Sequence, residues 1–381
     1  MDAKKIRVGV IINEFCGIAD TIFGGYGYIA RYYMAKYLPN KDFEFDFLLG
    51  KSKSHFFSKK YDYNGVTLYK LPRRDFFAKR WIKNKNYDIY LSLEMTFDHI
   101  IKNDTSLSRK LILWVQDPRP KYEWDEIFTL NLYKETSYYN QRTYDLVHEW
   151  YKQGRVKLVT QANDLKQKSI DLYRLDKNVD IEYLPNPIEI DYDFNVHEHP
   201  KKNNILFLGR IASVKRGWLF CEIAKRMPEY NFFILGKVFR DDDDNNSIIS
   251  DYKNIKNLYF TGYLEGEEKN QHLKDAKILV NTSIHEALPV SFLEALSYGT
   301  LLVSNRNPDN LTSEFGIHVG EVLGDGFDKI DLFVDAIYKL IKNEEQRTEL
   351  SIKAIDYIKK NHNIPDFVKN MYKTIKNEIE E

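Results

Sequence analysis

Three short segments hold residues whose types and spacing could do chemistry. The first is LFLGRIASVKRG, Leu206 to Gly217, where Arg210 directly follows an apolar run and Lys215 stands a few residues on. Two fixed cations above the end of a strand could hold a diphosphate, the arginine as a bidentate fork and the lysine as a point charge. The alternative is a pair of solvated charges in a strand–helix loop. The second segment is HEALPVSFLEALSYG, His285 to Gly299. Pro289 suits the first turn of a helix, where its missing N–H costs nothing. The N–H groups of Val290, Ser291 and Phe292 would then offer an anion site. Glu286 stands before that helix and Glu294 inside it. One carboxylate could accept hydrogen bonds from sugar hydroxyls, the other from a ribose diol; a capped helix with two solvated glutamates is the plainer reading. The third segment is IFGGYGYIA, Ile22 to Ala30. Gly25, Gly27 and Ala30 match a G-x-G-x-x-A fingerprint, but that motif should open immediately after a strand. Here the apolar run ends near Ile12, so NAD binding is not the first choice. A long loop ending in Gly24 and Gly25 would instead let backbone approach a phosphate or sugar closely.

The surrounding elements must position these segments. In the first half, IRVGVII (6–12), FEFDFLLG (43–50), YDIYLSL (87–93), KLILWVQD (110–117), VKLVTQA (156–162) and IEYLP (181–185) read as strands, with a helical stretch from Tyr28 to Tyr37. In the second half, NILFLG (204–209), NFFILG (231–236), NLYFTG (257–262), KILVNTS (277–283) and TLLVSN (300–305) restart the rhythm, with helices at about 215–227, 267–275 and 290–298. Unbroken apolar strands alternating with helices predict parallel sheets covered on both faces. The fold class is therefore α/β, with two doubly wound Rossmann-like domains. The expected division is 1–190 and 200–360, with a polar linker near 188–202. A final helix at about 365–381 could return to the first domain. Ligands of open α/β sheets bind at the carboxyl ends of strands, so a cleft between the two domains is the expected site.

Composition sets outer limits. The chain has 381 residues, 43% hydrophobic and 29% charged, with formal net charge zero, so no global field selects nucleic acid or membrane. Cys16 and Cys221 are far apart, which argues against a disulfide framework or zinc site and for two buried thiols in a reducing cytosol. No apolar stretch approaches the roughly 18 residues of a membrane span. The acidic run 241–246 is read as a solvated loop, a divalent-metal site being the alternative. Residues 51–85 carry eleven Lys or Arg against two Asp, with Phe56, Phe57, Phe76, Phe77 and Trp81 interleaved. That pattern suits an anionic membrane surface; a solvated face balanced elsewhere is the bland reading.

Together the chemical segments resemble the retaining GT-B-fold glycosyltransferases of family four, the glycogen-synthase-like and mannosyltransferase-like group 1. Gly209, Arg210 and Lys215 match that family's diphosphate-holding G-R-x4-K-G-like loop. Glu286 and Glu294 match its E-x7-E segment, and Gly24 and Gly25 its paired-glycine loop. PNPIE (185–189) looks like its hinge signature, and NLYFTGYL like its strand near the donor base. The likeness covers nearly all of 200–320 and, more loosely, 1–190. Three departures stand out. The usual Glu-Gly-Phe-Gly is here Glu286-Ala287-Leu288-Pro289. An extra Arg216 precedes the glycine of the Lys loop. Where the family often carries a cleft histidine, this chain has Gln116 and Asp117; Asp117 would either enter the site or cap the turn before Pro118.

The resemblance implies a retaining, metal-independent transfer of a sugar from a nucleotide-diphosphate sugar to a glycan, lipid-linked or other hydroxyl acceptor. It implies Arg210, Lys215, Glu286 and Asp117 as catalytic groups, and Gly24, Gly25, Gly209, Leu288, Pro289, Val290, Ser291 and Glu294 as donor-binding ones. No cofactor, metal or nucleic-acid partner is expected. Polysaccharide biosynthesis in the cytoplasm, free or peripheral on the inner membrane face, is the implied setting. The rival readings are a nucleotide-sugar epimerase of the same fold and a non-catalytic sugar-nucleotide-binding protein.

Overall fold

The computed structural model describes residues 5–52, 55–130, 139–237 and 243–380, with the side chains of 243–246 excepted. The chain forms two compact units.

The first unit comprises Met1–Pro118, Asn140–Pro187 and Ile364–Glu381. Its sheet holds β1 (Ile6–Ile11), β2 (Phe43–Lys51), β3 (Lys59–Tyr63), β4 (Val66–Leu71), β5 (Ile89–Leu93), β6 (Lys110–Val115), β7 (Val156–Thr160) and β8 (Glu182–Tyr183), in the order β3-β4-β2-β1-β5-β6-β7-β8. All pairings are parallel except β3 with β4. Every residue of β5 is buried, as expected for a strand covered on both faces. The β3–β4 hairpin turns on Asn64 and Gly65, at φ 45° and 85°, the left-handed pair that a two-residue hairpin turn requires. From sequence alone this stretch reads only as basic surface. The Ile364–Glu380 helix belongs to this unit: Phe367 stacks on Trp114 at 5.4 Å and Tyr372 on Phe43 at 4.6 Å.

The second unit comprises Arg119–Tyr139 and Ile188–Asn363. Its sheet is wholly parallel, in the order β11-β10-β9-β12-β13-β14. The strands are β9 (Asn204–Leu208), β10 (Asn231–Leu235), β11 (Leu258–Gly262), β12 (Ala276–Asn281), β13 (Leu301–Ser304) and β14 (Gly316–His318). Residues 119–130 thus cluster with the second unit rather than falling within a first domain that ends at 190. The physical reason is burial: Ile127 and Leu130 sit in the core formed by Trp218, Phe220 and Ile278.

Each sheet changes winding direction once, between β1 and β5 and between β9 and β12. Those switch points are where open α/β sheets receive ligands.

Candidate functional site

In the second unit, the loops after β9 and β12 leave adjacent strands, and three hydrogen bonds knit them. The Ile284 N–H donates to the Val214 carbonyl at 2.9 Å. The Thr282 hydroxyl lies 2.8 Å from the Lys215 carbonyl. The Arg216 Nε donates to the Thr282 carbonyl at 2.6 Å. This knitting brings Lys215 and Glu286 together: the ammonium donates to Glu286 Oε2. Both side chains are largely sheltered, 22% and 11% exposed. A sheltered pair is screened little by salt, but its two charges offset each other, so a polyanion gains from Lys215 only by displacing Glu286 from the ammonium.

Arg210 heads the same loop and is half-buried. It follows Gly209, whose φ of 156° favours glycine and whose carbonyl abuts Gly236. A Cβ on Gly236 would stand 1.8 Å from that oxygen, so only glycine lets the loop cross the sheet edge here.

The Val290–Ser297 helix opens after Pro289, which is its N-cap rather than its first residue. The Phe292 N–H turns back to the Pro289 carbonyl at 3.0 Å. It is therefore spent within the turn, which corrects the expectation that it would face an anion. Val290 and Ser291 remain as first-turn N–H groups, the type that has no intrahelical partner. Leu288 and Pro289 are buried and shape the turn. Glu294 meets Lys269, a buried lysine on the Gly266–Asp275 helix; sequence spacing carries no sign of that partner. His285, beside Glu286, lies 2.6 Å from Glu126 Oε2 on the Lys121–Phe128 helix.

In the first unit, Gly24 and Gly25 do different things. The glycine loop wraps the buried Glu14 carboxylate, which accepts the Gly27 N–H at 3.2 Å. A Cβ on Gly24 would stand 2.0 Å from Glu14 Oε2, whereas one on Gly25 would meet nothing within 4 Å. Gly24 therefore accommodates a carboxylate of the chain itself.

Asp117 follows β6, half-buried. Its N–H and that of Gln116 both donate to Glu94 Oε2 at 3.0 Å. The Tyr173 hydroxyl donates to Glu94 Oε1 at 2.7 Å. Glu94 follows β5 in a left-handed conformation, φ 46°. Burial raises its carboxyl above the ordinary value, while Tyr173 and the two N–H groups pull it down and Asp117 raises it. Sequence reasoning does not single out Glu94. Its only signal is position, an acid directly after a wholly apolar strand.

The sequence profile described as "Glycosyl transferases group 1" matches residues 189–357, the stretch that carries Arg210, Lys215, Glu286 and Glu294. That stretch of the chain is similar to the group 1 glycosyltransferases. Among solved structures, sucrose-phosphate synthase from Thermosynechococcus elongatus is similar over 97% of this chain and 98% of its own, with TM-score 0.73 and 10% identity. Anabaena Alr3699/HepE, in complex with UDP, is similar over 97% and 100%, with TM-score 0.71 and 9% identity. S. aureus TarM matches over 80% of this chain at TM-score 0.57 and 15% identity, and the chain spans 57% of TarM's length. At such identities the likeness is one of fold, which is GT-B. No curated protein matches the sequence.

The expected site residues therefore fall into two sets. Gly209, Arg210, Lys215, Glu286, Leu288 to Ser291 and Glu294 belong to the second unit, on the loops after β9 and β12 and the helix that follows the latter. Gly24, Gly25 and Asp117 belong to the first. The acidic run 241–246 lies outside the residues whose side chains are described. Cys16 and Cys221 are both buried. Among the described residues no helix is long and apolar enough to cross a membrane, and no group of three or more His, Cys, Asp or Glu is placed to hold a metal ion.

Proposed function

We propose that this protein is a glycosyltransferase that moves a sugar from a nucleotide-diphosphate sugar to a hydroxyl acceptor with retention at the anomeric carbon and without a metal ion. The observation that carries this reading is the Lys215–Glu286 pair, held between two knitted loops with Arg210 on the same strand end. As the bond from the anomeric carbon to the diphosphate breaks, negative charge collects on the leaving oxygens. Arg210, Lys215 and the N–H groups of Val290 and Ser291 would stabilise it by preorganised electrostatics. Glu286 would orient the donor sugar and Glu294 the ribose. The acceptor oxygen would bond to the anomeric carbon on the leaving-group face, its proton passing to a diphosphate oxygen. Asp117 would stand near the donor sugar, where relatives often carry a histidine. Neighbours of the same fold crystallised with UDP and with UDP-glucose support a nucleotide-sugar donor.

The acceptor is proposed to be a glycan or lipid-linked hydroxyl, in cytoplasmic polysaccharide biosynthesis at the inner membrane face. Phe56, Phe57 and Phe76 are strongly exposed, beside the exposed cations Arg73, Arg74, Lys79, Arg80 and Lys83. Part of the positive run is balanced within the protein, since Lys60 meets Asp62 and Lys85 approaches Asp46. The remaining cations and rings still suit an anionic lipid surface.

A panel of nucleotide sugars tests the reading. One donor should raise Tm, and purified protein should transfer or hydrolyse that donor with chelator present. Stabilisation by no nucleotide sugar would overturn it, and interconversion of the donor without an acceptor would favour an epimerase.

A further inference from the structure

Arg216 is fully buried and sits in the left-handed region, at φ 48° and ψ 50°, as the N-cap of the Gly217–Lys225 helix. A side chain rarely adopts that conformation without surroundings that enforce it, and such residues cluster at ligand clamps. The surroundings here are specific. Nε donates to the Thr282 carbonyl at 2.6 Å and Nη1 to the Gly324 carbonyl at 2.9 Å. The Thr282 hydroxyl in turn reaches the carbonyls of Lys215 at 2.8 Å and of Arg216 at 3.1 Å. One guanidinium thus fastens the loop that carries Lys215 to the loop that carries Glu286, and both to the segment at 324.

The charge itself is poorly compensated. Its hydrogen-bond partners are carbonyl oxygens, and Nη2 has no partner among the described residues. Burial first, then repulsion from Arg306, pull the guanidinium down to about 10, with Asp325 acting the other way. It remains protonated at neutral pH. A buried cation is costly unless an anion answers it, and its field is felt strongly where water is excluded.

We propose that Arg216 is a positioning residue for the donor diphosphate: it fixes Lys215 against the Glu286 loop and supplies a buried positive charge that the bound anion completes. This role rests on the diphosphate reading of the same loops. Arg216 exposes no surface, so it acts through Lys215 and through its field, not by contact with the ligand.

The test uses Arg216→Gly and Arg216→Lys in the full chain, with calorimetric titration of inorganic pyrophosphate, UDP and uridine. Glycine accepts φ 48° freely, so the helix cap survives while the fork and charge are lost. Pyrophosphate and UDP should bind at least about tenfold more weakly to Arg216→Gly, a change of about 1.4 kcal/mol, with uridine binding unchanged. Should the glycine variant fail to fold, Arg216→Lys keeps the charge but not the fork and should still bind pyrophosphate more weakly than wild type. Equal losses for UDP and uridine would mark a merely structural residue and overturn the proposal. So would wild-type pyrophosphate affinity in either variant. Wild-type protein that binds neither pyrophosphate nor UDP would overturn the diphosphate reading itself.

Discussion

Lys215 and Glu286 are ion-paired across two loops that three hydrogen bonds, among them Ile284 N–H to the Val214 carbonyl, hold in register. The cation proposed for the diphosphate and the carboxylate proposed for the sugar therefore neutralise each other in the protein alone. A bound diphosphate would take over the ammonium. A double-mutant cycle with Lys215→Met and Glu286→Gln should show coupling of about 1–3 kcal/mol in unfolding free energy, the range for contacting partners. With saturating UDP the coupling should shrink toward zero. Coupling that is the same with and without UDP would mean that Lys215 does not change partners.

The two glycines of the first unit predict opposite outcomes. Gly24→Ala drives a methyl into the Glu14 carboxylate and should destabilise by about 1–3 kcal/mol, as overpacking does. Gly25→Ala meets open space and should leave Tm within a degree or two, or raise it. Thermal unfolding of both variants checks this. Equal Tm losses would mean that the loop does not wrap Glu14 as described.

Glu94 predicts a pH dependence. Its carboxyl is raised from an ordinary 4.5, burial being the main cause. A folded state that raises a carboxyl's pKa binds the proton more tightly than the unfolded chain, so stability is lost as that proton leaves. The contribution is full below pH about 4.5 and disappears as pH rises through the raised value; each tenfold gain in proton affinity is worth about 1.4 kcal/mol. Denaturant unfolding from pH 4 to 8 should show wild type losing stability relative to Glu94→Gln over that window. Tyr173→Phe, which removes the hydroxyl that favours the charged form, should extend the loss to higher pH. Parallel curves for wild type and Glu94→Gln would contradict the assignment.

The exposed rings and cations of 56–83 predict that the protein co-sediments with vesicles containing anionic phosphatidylserine, and less so with neutral phosphatidylcholine. Replacing Phe57 and Phe76 with Ser and Lys79 and Arg80 with Glu should abolish the difference while leaving donor binding in solution unchanged. Sedimentation indifferent to anionic lipid would end the membrane proposal.

These outcomes depend on features the sequence reveals unevenly. Strands such as Ile205–Leu208 and Leu301–Val303 are legible because a strand buried on both faces must be apolar throughout. The β3–β4 hairpin is obscured because an edge pair can be built from Lys and Tyr, which read equally as surface. Helix Lys121–Phe128 is helical by local pattern, but nothing local says whether Ile127 joins one core or the other. The same limit governs the site. Arg210, Lys215 and Glu286 lie next to strand ends and can be read directly. Lys269 beside Glu294, Glu94 beneath Gln116, and Glu14 inside the glycine loop are partners distant in sequence, and only folding brings them into contact.

The most direct measurement is the turnover of Arg210→Ala at saturating donor, with its Tm recorded alongside. If Arg210 stabilises the departing diphosphate, kcat should fall by about 10²–10³, the cost of removing one preorganised charge-stabilising donor, with Tm close to wild type. Turnover within a few-fold of wild type in a folded Arg210→Ala protein would contradict the account.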